Sequence, residues 1–90
     1  MLFMVIERFP PGSVPVIYRR PRDEGRSLPD GLTYVHSWIE ANLARCFQVM
    51  ECHDARLLQE WILSWGGLID AEIVPIVPSA ITQEVVQRFL

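Results

Sequence analysis

Two alternating stretches decide the fold of this chain: LTYVHSWI at Leu32–Ile39 and RCFQVMEC at Arg45–Cys52. In each, apolar and polar residues alternate with the period of two that is typical of a half-buried β-strand. A short polar segment, Glu40-Ala41-Asn42, follows the first stretch and predicts a turn. The two strands are therefore expected to form a β-hairpin at the centre of the chain.

A helical pattern and one further strand lie on each side of this hairpin. Leu2–Phe9 is apolar at nearly every position, as expected for a central strand, whereas Pro75 inside Leu68–Val77 indicates an edge strand or a bulge. The first helix follows Ser13, and Pro21 predicts that it is bent or shortened. The second helix begins at Asp54 and repeats its apolar residues with helical spacing.

The order β-α-β-β-α-β predicts an α+β fold of the ferredoxin-like type. Right-handed crossovers then give a four-stranded antiparallel sheet with both helices on one face and the first and third strands at the centre. Residues 1–78 form this domain, and residues 79–90 are expected to form a short C-terminal helix or tail in which Ser79 begins the helix.

Composition excludes several classes of function. With a net charge of −3, the chain is not expected to have the basic face that binding to a nucleic acid requires. All eight basic residues are arginine, so lysine Schiff-base chemistry is absent. There is no phosphate-binding or dinucleotide glycine motif, and we expect no cofactor. No apolar run is long enough to span a membrane, and Met1–Ile6 lacks the features of a signal peptide, so we expect a cytoplasmic protein.

One face of the predicted sheet has no helix to cover it. If the hairpin loop has an odd number of residues, aromatic and polar side chains share the uncovered face: Tyr34, His36, Trp38, Cys46, Gln48 and Met50. The side chains that face the helices are in that case Val35, Ile39, Phe47 and Val49. A loop with an even number of residues would change the register and break up both sets. Since half of the residues are hydrophobic, we expect two copies to pair sheet against sheet as a homodimeric barrel.

Several segments resemble a bacterial family of uncharacterised single-domain proteins. These are the opening MLFMVIERF at 1–9, the Gly25-Arg26 and Leu28–Leu32 segment, Ser37-Trp38, and the Arg45–Gln48 and Met50-Glu51 segment. The resemblance covers about residues 1–78. The family is known as a domain of unknown function and is similar to the dimeric α+β-barrel superfamily, which implies a dimer but transfers no catalytic motif to this chain.

The uncovered face supplies the candidate ligand site. It joins aromatic area with hydrogen-bonding groups, and His36 is the candidate general base. The alternative is that the same residues only fill a subunit interface. The predicted ligand-binding residues are Tyr34, His36, Trp38, Gln48 and Met50.

Three functions remain open on this basis. The first is a homodimeric module that binds a small apolar or aromatic molecule. The second is a cofactor-independent oxygenase or isomerase acting on such a molecule, and the third is a structural or regulatory partner protein.

The cysteines, the carboxylates in strands and a group of arginines are also considered as functional residues. Cys46 and Cys52 lie too far apart along one strand for a disulfide, and no metal-ligand spacing is present, so we expect free thiols and no metal site. Strand carboxylates either pair with an arginine or include one acid of raised pKa; they are Glu7, Glu51 and Glu72. A cluster of arginines either binds an anion or is neutralised by neighbouring acids; it comprises Arg19, Arg20, Arg22 and Arg26.

Overall fold

The computed structural model describes residues 1–90 and shows four strands and three helices. In chain order they are β1 (Leu2–Arg8), α1 (Val14–Glu24), β2 (Thr33–Ile39), β3 (Arg45–Glu51), α2 (Arg56–Ser64), β4 (Asp70–Ile76) and α3 (Ser79–Gln87). The strands form one antiparallel sheet in the order β2-β3-β1-β4. The predicted α+β ferredoxin-like fold is confirmed, with β1 and β3 central and the proline-containing β4 at an edge.

Both crossover helices pack on the same face of the sheet. Phe3 and Met50 point from the central strands into a cluster with Ile17 of α1 and with Leu58 and Trp61 of α2. The alternation along β1 and β3 produces this face, because every second residue of each strand is buried. Helix α1 continues through Pro21 to Glu24, so the expected shortening at that proline is wrong.

The hairpin has an even loop. The Glu40 amide donates a hydrogen bond to the Arg45 carbonyl at 2.9 Å, which leaves four residues, 41–44, in the loop. Trp38 therefore lies opposite Phe47, and Ile39 lies opposite Cys46. The register expected from an odd loop is wrong, since one added residue moves every side chain of a strand to the other face.

A β-bulge near the start of β2 moves the side chains before it to the other face of the sheet. Tyr34 lies opposite Met50 and His36 lies opposite Val49, so Val35 is the extra residue of the bulge. Tyr34 is thereby returned to the helix-facing side, together with Cys46, Gln48 and Met50. The prediction that these residues share the uncovered face is wrong for the same geometric reason.

The face of the sheet opposite the helices is largely apolar, and no element of the chain covers it; we call it the open face. Trp38 is 53% exposed there, although tryptophan is normally well buried. Charged side chains lie at its ends, including the Arg8–Glu72 and Arg45–Glu40 ion pairs. Its apolar and aromatic members are Leu2, Met4, Ile6, His36, Trp38, Phe47, Val49, Val74 and Ile76.

Helix α3 contributes nothing to the core. None of its residues is buried, and Ile81 and Val85 remain about half exposed. Only 12 of the 90 residues are buried in all, so much of the apolar content stays at the surface. No helix in the chain combines the length and the apolar character needed to cross a membrane.

Candidate functional site

A cavity of about 490 Å³ lies between the helix-facing side of the sheet and the two crossover helices. Strands β1, β2 and β3 provide its polar floor, while α1, α2 and the segment after α1 provide apolar walls and a basic rim. The floor residues are Glu7, Ser37, Cys46 and Gln48; the principal wall residues are Phe9, Ile17, Leu28, Trp61 and Trp65; the rim carries Arg20, Arg22 and Arg26.

Glu7 is the most unusual residue of the floor. Its side chain is only 6% exposed, and its Oε1 atom has no hydrogen-bond partner. Burial raises the pKa of Glu7 to about 7, although the nearby positive charge of Arg26 acts in the opposite direction. The carboxyl group is therefore poised between its neutral and ionised forms near neutral pH, and it can donate or accept a proton.

The neighbouring polar groups of the floor also have unused hydrogen-bonding capacity. Gln48 is 6% exposed, yet its Nε2 atom donates only to the Met50 thioether, at 3.3 Å, and sulfur is a weak acceptor. Ser37 and Tyr34 share a hydrogen bond of 2.7 Å between their hydroxyl groups. Buried polar groups are normally paired, so incomplete pairing at a cavity floor is typical of a site that meets a ligand.

Cys46 lies directly opposite Glu7 but is not an activated nucleophile. Burial, followed by the negative charge of Glu7, raises the pKa of the Cys46 thiol to about 11. The thiol is neutral at physiological pH and behaves as a small hydrophobic side chain. Cys52 is also buried, and both thiols are free, as predicted.

The arginines of the predicted cluster have different surroundings. Arg20 donates to the Ser64 carbonyl at 2.7 Å and pairs with Glu24, while Arg22 pairs with Asp23. Arg26 instead stacks over the Tyr34 ring, 3.5 Å from its centre, and forms no ion pair, although its charge acts on the Glu7 carboxyl. The self-neutralised interpretation therefore holds for Arg20 and Arg22 but not for Arg19 or Arg26, which form no ion pair.

The structure separates the five predicted site residues. Gln48 lies on the cavity floor, Tyr34 reaches it through Ser37, and Met50 is fully buried in the core. His36 and Trp38 lie on the open face, where their rings pack edge to face with centres 4.6 Å apart. The expectation of one continuous surface is thus wrong, because the even loop and the bulge separate the five residues.

From the sequence, Glu7 is only one of three strand carboxylates that could include an acid of raised pKa. Among the three strand carboxylates, Glu72 pairs with Arg8 at 3.2 Å and Glu51 is exposed, which leaves Glu7 as the buried and unpaired one. A glutamate in a strand that is otherwise apolar on both sides already indicated a costly burial. Nothing in the local pattern indicated that Arg26 would reach the same cavity.

The chain belongs to the family described as a domain of unknown function, DUF3303, which it matches over residues 1–90. The predicted resemblance to such a family is confirmed. No curated protein and no solved structure gives a significant match. Nowhere in the chain do three or more His, Cys, Asp or Glu side chains lie together in positions that suit a metal ion.

Proposed function

We propose that this chain is a small-molecule-binding domain that functions as a homodimer and holds an apolar or aromatic ligand in the cavity above β1 and β3. The observation that carries the proposal is the buried Oε1 atom of Glu7, which no group of the protein satisfies. An unpaired buried polar atom costs about 1–3 kcal/mol, and incomplete pairing at the floor of a cavity is typical of a ligand site.

The walls of the cavity fit a flat apolar body. Trp61 and Trp65 meet edge to face, with ring centres 6.5 Å apart, and Phe9 and Leu28 also line the cavity. Binding sites for small molecules typically combine such apolar walls with a few convergent polar groups that orient the ligand. Here Glu7, Ser37 and Gln48 are those groups.

The second candidate function is a cofactor-independent isomerase or oxygenase acting on a molecule of the same kind. It is favoured by the pKa of Glu7, which lies near 7 and matches the requirement for a general acid or base at neutral pH. In this version Glu7 moves the proton and Gln48 orients the substrate. His36 does not line the cavity, so its predicted role as base would require a substrate on the open face.

The homodimer forms through the open face. An apolar centre bordered by ion pairs has the organisation of a protein interface, in which a desolvated core is surrounded by a polar rim. Pairing two such faces across a twofold axis buries Trp38 and Phe47 of both copies. The free thiols of Cys46 and Cys52 agree with the predicted cytoplasmic location.

Binding in the cavity is tested with neutral aromatic probes of increasing size: benzamide, cinnamamide and 1-naphthamide. Two-dimensional nuclear magnetic resonance resolves three indole N–H signals, one for each tryptophan. We expect titration to shift the signals of Trp61 and Trp65 while that of Trp38 stays in place. Ser37→Phe fills the floor and should abolish the shifts, whereas Thr33→Phe, at the exposed start of the same strand, should not.

Two results would count against the proposal. The first is that no probe of the series moves any indole signal. The second is that only Trp38 responds, which would place the ligand on the open face and restore the predicted role of His36. Native mass spectrometry of freshly purified protein supplements the titration, since it reports the subunit number together with any retained molecule.

A further inference from the structure

Arg26 is the only arginine at the cavity rim that forms no ion pair with a carboxylate of the chain. Five of the eight arginines form ion pairs: Arg8, Arg20, Arg22, Arg45 and Arg56. Arg19, Arg26 and Arg88 do not, and of these three only Arg26 lines the cavity. A free guanidinium next to a ligand cavity provides a fork of N–H donors that matches a carboxylate.

The Tyr34 ring positions the Arg26 guanidinium. The guanidinium stacks on the Tyr34 ring at 3.5 Å, and the Tyr34 hydroxyl is itself fixed by Ser37. Stacking occupies the face of the guanidinium and leaves its N–H groups, which lie in the plane, free to bind a ligand.

We infer that the cavity binds a small organic acid, with one carboxylate held by the Arg26 guanidinium and a compact aromatic or apolar body against Leu28, Trp61 and Trp65. This inference rests on the proposed binding function and adds the chemical class of the ligand. A single carboxylate matches the one guanidinium at the rim that forms no ion pair. A dianionic phosphate would bring two negative charges to one guanidinium in a cavity that already contains Glu7, so the geometry favours the carboxylate.

Matched pairs of probes test the inference: benzoate with benzamide, cinnamate with cinnamamide, and 1-naphthoate with 1-naphthamide. The members of each pair share a body and differ in charge. Since a hydrogen bond to a charged group strengthens binding substantially, we expect the acid to bind about tenfold more tightly than its amide at pH 6. Arg26→Gln should reduce that ratio to about one. Arg19→Gln, an exposed arginine of α1 that has no ion pair and does not line the cavity, should leave it unchanged.

The outcomes separate the inference from the proposed function. Equal binding of acid and amide, or a preference that survives in Arg26→Gln, overturns the organic-acid assignment while the binding function stands. Tighter binding of phenyl phosphate than of benzoate also overturns it, in favour of a phosphate ligand. If neither the acid nor the amide of any of the three pairs binds, the binding function is overturned together with the inference. Arg26 is exposed, so the Arg26→Gln variant is expected to fold normally, and its circular dichroism spectrum verifies this.

Discussion

Glu7 lies directly opposite Cys46 in the β1–β3 ladder, and both side chains point to the floor of the same cavity. Burial raises the pKa of both groups, to about 7 for the carboxyl and about 11 for the thiol. Across the physiological range the pair therefore has one group that titrates and one that remains neutral. Proton transfer and hydrogen bonding are available at this floor, whereas thiolate attack is not.

Glu7 is expected to make the protein less stable as the pH rises. Below pH 4.5 the Glu7 carboxyl group is protonated in both the folded and the unfolded protein. Between about pH 4.5 and pH 7 it loses its proton in the unfolded protein but keeps it in the folded protein. Ionisation therefore stabilises the unfolded state, and the free energy of unfolding falls as the pH rises. Above pH 7 the loss is complete and amounts to roughly 3 kcal/mol. Urea unfolding of Glu7→Gln at pH 5, 6, 7 and 8 should lack this decline.

The matched control for that experiment is Glu51→Gln, which changes an exposed carboxylate at the end of β3. It should follow the pH dependence of the unchanged protein. If Glu7→Gln also follows it, the Glu7 carboxyl is not the group whose ionisation opposes folding.

Binding of an organic acid is expected to weaken as Glu7 ionises. Between pH 6 and pH 8 the floor gains a negative charge near the ligand carboxylate, and a donor to the ligand is lost. The other ionisable groups around the cavity are Tyr18, Arg20 and Arg22 of α1, Arg26, Tyr34 of β2 and Cys46 of β3. Calorimetric titration with cinnamate should show affinity falling by several-fold over this interval, with little change for cinnamamide. In Glu7→Gln the affinity for cinnamate should be nearly independent of pH.

Cys46 is expected to react slowly with thiol reagents even when they reach the cavity. A pKa of about 11, against an ordinary value of 9.0, lowers the thiolate fraction at pH 8 by about a hundredfold. Mass spectrometry after brief iodoacetamide treatment should find Cys46 unmodified in the folded protein and both cysteines modified in urea. Rapid alkylation of Cys46 in the folded state would show that its thiol is not shielded as described.

Dimerisation through the open face is expected to depend on Phe47. Its neighbours across the strands are Ile6 on β1 and Trp38 on β2, so a charge at this position would be buried at the centre of the paired sheets. Phe47→Glu should weaken the dimer by at least about a hundredfold, because each copy then buries an unpaired carboxylate. Sedimentation equilibrium at micromolar concentration measures the effect.

Leu63→Glu is the control for that experiment, since Leu63 is an equally apolar residue that is 78% exposed on α2. The Leu63→Glu variant should remain dimeric. A protein that sediments as a monomer without any substitution, or a Leu63→Glu variant that dissociates as Phe47→Glu does, would contradict an interface on the open face.

The order of the elements follows from local patterns. Alternation along Leu32–Ile39 and Arg45–Cys52 and helical spacing after Asp54 are properties of neighbouring residues, and the handedness of crossovers leaves few ways to join the strands. Pro75 identified the edge strand because proline lacks the amide that a central strand needs. The ferredoxin-like fold was therefore predictable from the sequence alone.

The assignment of residues to the two faces depended on details that these patterns do not contain. Four residues in the hairpin loop and the extra residue at Val35 place Trp38 and His36 on one side and Gln48 and Tyr34 on the other. Because strands have a period of two, each single-residue change reverses every later side chain.

The sequence by itself determined the class of fold, the free thiols and the net negative charge, since these depend on composition and short-range periodicity. Only the tertiary structure decided which residues line the cavity. Glu7, Arg26, Ser37 and Trp61 come from four separate segments, and they meet at one cavity because β1 pairs with β3 while α1 and α2 pack above them. The free energy that brings them together comes from burying the core between sheet and helices, and that packing relates residues far apart in the chain.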